Sequence, residues 1–146
     1  MEDKQLKYEF PYRIVELKTN SFSVQNLSDE DISEFNPEEV EFSFKPAFGF
    51  NEEDKAVKVN INVMYIYRDI EILKINVDIV YEFVKELEIE IKDKNILAQL
   101  LGIAFSTIRG IILNRTIGNF MNDIYLPIIN PTEIVEDIFK EDEEIE

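Results

Sequence analysis

The sequence contains no cysteine and no histidine. Disulfides, Cys/His zinc sites, thiol nucleophiles and imidazole acid–base chemistry are therefore excluded together. No glycine pattern of the phosphate-cradling kind is present. Gly49, Gly110 and Gly118 read instead as accommodations at a hairpin, a close helix approach and a loop turn. Basic residues are scarce, 15 Lys and Arg against 31 Asp and Glu, which leaves a formal charge of -16. Such a surface repels phosphate backbones, so no nucleic-acid partner is expected, whereas cationic or unstructured basic polypeptides are drawn in at long range. The start, Met1-Glu2-Asp3-Lys4-Gln5, lacks the apolar stretch of a secretory signal, and a cytoplasmic location is expected. The apolar run Ile96 to Ile108 meets Arg109 after about 13 residues, short of the roughly 20 that span a bilayer, so no membrane insertion is expected.

What remains is ample for a core. A chain of 146 residues, 45% hydrophobic and 12% aromatic, folds despite 32% charged residues, and reads as a single domain over 1–146 with a frayed acidic tail over 141–146. Alternation marks the strands. Tyr8, Phe10, Tyr12 and Ile14 share one side before the phase shifts to Val15 and Leu17, predicting a bulged strand whose Pro11 suits an edge. A short apolar piece, Phe22 and Val24, precedes a polar loop. Val40, Phe42, Phe44, Pro46 and Phe48 predict a second strand, closed by the hairpin Gly49 to Asp54. The acidic residues there lack calcium-loop spacing. Val57, Val59, Ile61, Val63 and Tyr65 predict a third strand, turned by Arg68-Asp69 into a fourth that runs to Phe83 with a bulge near Leu73-Lys74. The alternation of Leu87 to Lys92 fits either a strand or an extended arm.

Leu97, Leu100, Leu101, Ala104, Phe105, Ile108, Ile111 and Ile112 recur at helical spacing, and Ile103 and Leu113 lie off that stripe. A helix apolar on two sides needs cover on two sides. Asn130-Pro131-Thr132-Glu133 predicts a final helix start, with Asn as cap and Pro at the first position. Strands followed by helices give an α+β fold: a four-stranded antiparallel sheet, a meander, with a long helix and a short C-terminal helix on one face.

This order of pieces, with Leu101-Gly102 and Arg109 in the long helix, a Gly-bearing loop, and Leu126-Pro127-Ile128-Ile129-Asn130-Pro131 before the last helix, resembles the SecB family of export chaperones. The similarity runs from about Tyr12 to Phe139. Ser106-Thr107-Ile108-Arg109 keeps only the Arg of the family's Pro-Tyr-Ala-Arg-like segment, and Pro131 replaces a usual aromatic, which marks a divergent branch. The resemblance implies a SecB-like homotetramer built as a dimer of dimers, with a homodimer as the other assembly. It also implies grooves for non-native polypeptide, and an ATP-independent holdase acting in the cytoplasm, with protein export as one setting. A dedicated interaction protein on the same fold, holding one partner such as an unstable antitoxin, is the alternative, and an enzyme built on Asp78 and Glu82 a distant third.

Phe35, Phe48, Phe50, Phe120, Met121 and Tyr125, in loops or at strand ends, are the candidate client contacts, since large adaptable apolar side chains suit a promiscuous surface. Leu97, Leu101, Ile103, Phe105, Ile108, Arg109, Ile112 and Leu113 are the candidate oligomer interface. No catalytic residue, metal or cofactor is expected.

Overall fold

The computed structural model describes the backbone over residues 11–145 and side chains over 11–140. The expectations for Tyr8 and Phe10 fall outside the described residues, and of the acidic tail over 141–146 only the backbone to Ile145 is described, as the end of the last helix. Strands β1 (Tyr12–Val24), β2 (Val40–Asn51), β3 (Ala56–Tyr67) and β4 (Ile70–Phe83) form one antiparallel sheet in the order β1-β4-β3-β2. Consecutive hairpins join β2, β3 and β4, and the meander is extended by β1, which pairs with β4 rather than with β2. The polar connection from β1 to β2, carrying the short helix α1 (Asp29–Ser33) and a tight turn at Pro37–Glu39, is long enough to cross to the far edge.

The bulges explain the phase shifts. Pairing of β1 with β4 skips between Ile14 and Glu16 and again between Thr19 and Ser21. The piece around Phe22 and Val24 is thus the end of β1 rather than a separate segment. On β4 the irregularity sits at Ile72, one residue before the expected place, and it puts Ile72 and Leu73 side by side in the core. Arg68 and Asp69 both adopt positive φ, 47° and 65°, the backbone that a two-residue hairpin needs to match strand twist. Leu87 to Lys92 is neither strand nor arm. It is an irregular connector pinned by the Lys55 ammonium, which donates to the carbonyls of Lys85 and Leu87 at 3.3 and 2.8 Å, and by the buried Ile91.

Two helices complete the fold: α2 (Lys94–Arg115) and α3 (Pro131–Ile145). The Asp93 carboxylate caps α2, accepting from the backbone N–H groups of Asn95 and Ile96 at 2.9 and 3.2 Å. At its far end Thr116 donates to the Ile112 carbonyl, and the Asn122 amide donates to that of Leu113, each at 2.8 Å, so two carbonyls of the last turn find partners within the chain. Asn130 caps α3 as expected, accepting from Glu133 N–H at 3.3 Å. By length and composition α2 could cross a membrane, yet eight of its side chains are buried in this fold. They lie over β3 and β4, against Val57, Val59, Ile61, Val63, Ile75, Val77 and Ile79. Each fully buried aliphatic side chain stabilises by about 1.5–3 kcal/mol relative to exposure.

Candidate polypeptide-binding surfaces

The helix covers the two central strands and leaves the two edge strands short of cover. On β2, residues 42, 44, 46, 48 and 50 face the helix side, opposite Tyr65, Val63, Ile61, Val59 and Val57 of β3. All five β2 residues are half-buried, while their β3 partners are buried. The result is a row of aromatic side chains that α2 does not roof. Phe42 stands edge-on to Tyr65 and Phe44 edge-on to Phe105, each at 4.9 Å. Phe48 stacks on Phe50 and on Phe139 of α3, each at 6.5 Å. From Phe42 to Phe50 the row runs about 26 Å at strand rise, room for an extended segment of about eight residues.

The opposite flank, between α2 and β1, is concave. A hollow of about 730 Å³ is lined by Tyr12, Gln99, Gly102, Ile103, Thr107 and Pro131, among others. A second of about 460 Å³ shares Thr107 and continues past Leu17, Gly110 and Arg115. Ile14 and Leu17 of β1 are 47% and 50% exposed beside it, and the outer edge of β1 pairs with no other described strand. Such an edge is a template for another chain.

The other sheet face is polar. Asn60 and Asn20 both donate to the Asn76 side chain, at 2.9 and 2.8 Å, and Asn60 also donates to Asp78 at 2.6 Å. Burial opposes ionisation of Asp78, but those amides together with Lys58 at 3.5 Å outweigh it and hold the carboxyl below the usual range. Glu82 faces Arg13 at 3.7 Å. The two carboxylates considered for catalysis are thus each committed to a cation. Among the described residues no group of three or more Asp and Glu is placed to hold a metal.

The candidate client residues do not form one site. Phe35 and Phe120 come together over Tyr67, with ring centroids 4.8 Å apart and 4.7 Å from Phe35 to Tyr67. Phe48 and Phe50 lie towards the other end of the sheet. Tyr125 is 69% exposed and stands alone. Met121 is corrected: its side chain is fully buried beneath the loop and is core. The sequence reading missed Phe42 and Phe44, which link the two clusters along β2. Their alternation marked the correct face, but nothing local signalled that α2 stops short of it.

The interface set is corrected more broadly. Leu97, Leu101, Phe105, Ile108 and Ile112 are buried in the chain's own core and offer no surface to a neighbour. Ile103 is 37% exposed and lines the β1-side hollow, while Leu113 and Arg109 are half-buried. The second side of α2 is therefore less greasy than the two-sided pattern suggested. It is a strip of small residues, Gly102, Ser106 and Gly110, with one exposed isoleucine.

Arg109 lies at the aromatic flank. Its guanidinium carbon is 5.7 Å from the Phe105 ring, and its charge acts on the Tyr65 hydroxyl. Burial nevertheless pushes Tyr65 up to about 12, with Arg109 opposing the rise. The Arg109 Nε is buried with no hydrogen-bond partner.

No protein-family model matches the sequence. No curated protein matches it either. Solved structures do match. One is a SecB-like chaperone of Mycobacterium tuberculosis in complex with a ChAD peptide from the HigA1 antitoxin. That structure aligns over 82% of this chain and 90% of its own, with a TM-score of 0.55 and 13% sequence identity. The chain has the fold of SecB-like chaperones, as its order of strands and helices led one to expect.

Proposed function

We propose that this SecB-like fold holds non-native polypeptide without nucleotide turnover, and that it serves one dedicated partner rather than unfolded chains at large. The observation that carries this reading is the unroofed aromatic row on β2, an extended apolar surface on a fold that a structural neighbour uses to hold an antitoxin peptide. An extended client laid along it would bury side chains at roughly 25 cal/mol per Å². The surplus of acid steers basic segments towards the protein at low salt. The exposed Ile14 and Leu17 beside the open β1 edge favour a homo-oligomer as the working form.

The test is co-expression with whatever proteins are encoded beside its gene, together with aggregation assays on several unrelated unfolded proteins. One neighbour kept soluble in a stoichiometric complex, with the unrelated proteins left to aggregate, is the expected result. Equal protection of all of them would replace the dedicated partner with a general holdase. Protection of none, with no complex, would remove both. Light scattering gives the assembly: a strict monomer would overturn the oligomer.

A further inference from the structure

We propose that Arg109 is a carboxylate anchor within the aromatic flank, so that the held segment carries an Asp or Glu side chain, or a free chain end, among its apolar residues. This rests on the polypeptide-holding reading above and names the chemistry that the surface selects. The argument begins with supply. Acidic side chains outnumber basic ones two to one in this chain, so an arginine has every opportunity to find a carboxylate. Arg13, Arg68, Lys58 and Lys92 each do, between 3.1 and 4.0 Å, whereas Arg115 lies over the Phe22 ring and, like Arg109, pairs with no described carboxylate. No described carboxylate pairs with Arg109, and its Nε is sealed from solvent without an acceptor.

A buried donor left unpaired is destabilising, a cost the folded chain carries until a partner is supplied. The surroundings fix how that partner must arrive. The Phe105 ring packs against the guanidinium, and Phe105 in turn meets Phe44 of the exposed row. Tyr65, whose hydroxyl senses the Arg109 charge, meets Phe42 of the same row. The cation therefore stands beside the Phe42–Phe44 end of the aromatic row, where an extended segment crossing those two rings brings a side chain against it. A guanidinium recognises a planar carboxylate through two parallel N–H···O bonds, and does so most strongly where aromatic walls exclude water. Tyr65 stays a neutral hydroxyl donor at ordinary pH beside it.

The long-range field of the protein favours basic clients, so this anchor adds a requirement of opposite sign at one position. A segment with basic flanks and a single buried acid satisfies both.

The test uses the full chain and two synthetic peptides with amidated C-termini, alternating Phe and Ser with Lys at the flanks. One carries a central Glu and its twin a central Gln. The Glu peptide should bind about tenfold tighter. Arg109→Met should abolish that preference, and Arg109→Lys should retain part of it. Equal binding of the two peptides to the unaltered protein overturns the anchor while the polypeptide-holding reading stands. Preference surviving in Arg109→Met overturns it too. If neither peptide binds, the holding surface itself fails and the anchor with it. A change in assembly mass on Arg109→Met, with the unaltered protein showing no preference, would assign the arginine to a carboxylate of a second copy instead.

Discussion

The hydroxyl of Tyr81, near the end of the central strand β4, donates to the backbone carbonyl of Leu100, in the second turn of α2, at 2.9 Å. Both residues are fully buried. Together with the Tyr12 hydroxyl, which donates to Gln99 Oε1 at 3.3 Å, this bond fixes the position of a helix otherwise held by directionless apolar contact. Tyr81→Phe should lower stability by about 1 kcal/mol, the net worth of one neutral hydrogen bond, read as a lower urea midpoint at unchanged slope. An unchanged midpoint would show that packing alone places α2.

Two buried phenols set the alkaline limit. Tyr65 ionises at about 12 in the fold against 10.0 as an ordinary phenol, and burial pushes Tyr81 up as well. The unfolded chain therefore releases these protons first as pH rises. Their contribution is intact below pH 10.0 and is lost progressively as pH climbs towards about 12. Denaturation midpoints across this window should fall, and should fall less steeply in Tyr65→Phe. A slope indifferent to that substitution would mean that lysine titration, not phenol, governs the loss.

Met121 and Phe48 entered as equals and should separate on substitution. Met121→Ala empties a sealed core position and should cost about 2–4 kcal/mol. Phe48→Ser removes a half-buried ring from the exposed row, so its larger effect should be on peptide affinity, with a smaller loss of midpoint. Calorimetry and peptide titration on the pair read both quantities. The reverse order would place the holding surface at the loop.

Gly110 sits inside α2 with nothing within 4 Å of where a side-chain carbon would stand. Gly110→Ala should therefore stabilise the isolated fold by about 1 kcal/mol through helix propensity. If thermal stability rises as expected while assembly mass falls, the bare backbone at this position is being used by a neighbouring copy. A rise in stability with assembly intact would leave the residue without an interface role.

Most of the secondary structure was legible because it is written locally. The alternation of Val57, Val59, Ile61 and Val63, the Arg68-Asp69 turn and the Asn130-Pro131 helix start each depend on neighbours in sequence, and each stands in the structure. Pairing of β1 with β4 is not local, since alternation identifies a strand's faces but not the strand beside it. The same limit governed the site. Residues 97, 101, 105, 108 and 112 repeat correctly as a stripe, but how much of it one sheet can absorb depends on the width of the sheet. The two central strands absorb all of it under α2, and the less covered surface appears at Phe42 and Phe44 on the edge strand instead.

The strand order also sets the timing of the chain's birth. From Val24 with Leu73 to Tyr12 with Phe83, the pairings of β1 span roughly 50 to 70 residues, so the first strand made is the last to find its place. Hairpins β2–β3 and β3–β4 can close as they emerge from the ribosome, whereas Ile14, Val15 and Leu17 wait in the open until β4 is complete. The chain thus passes through an interval of exposed apolar strand in its own synthesis.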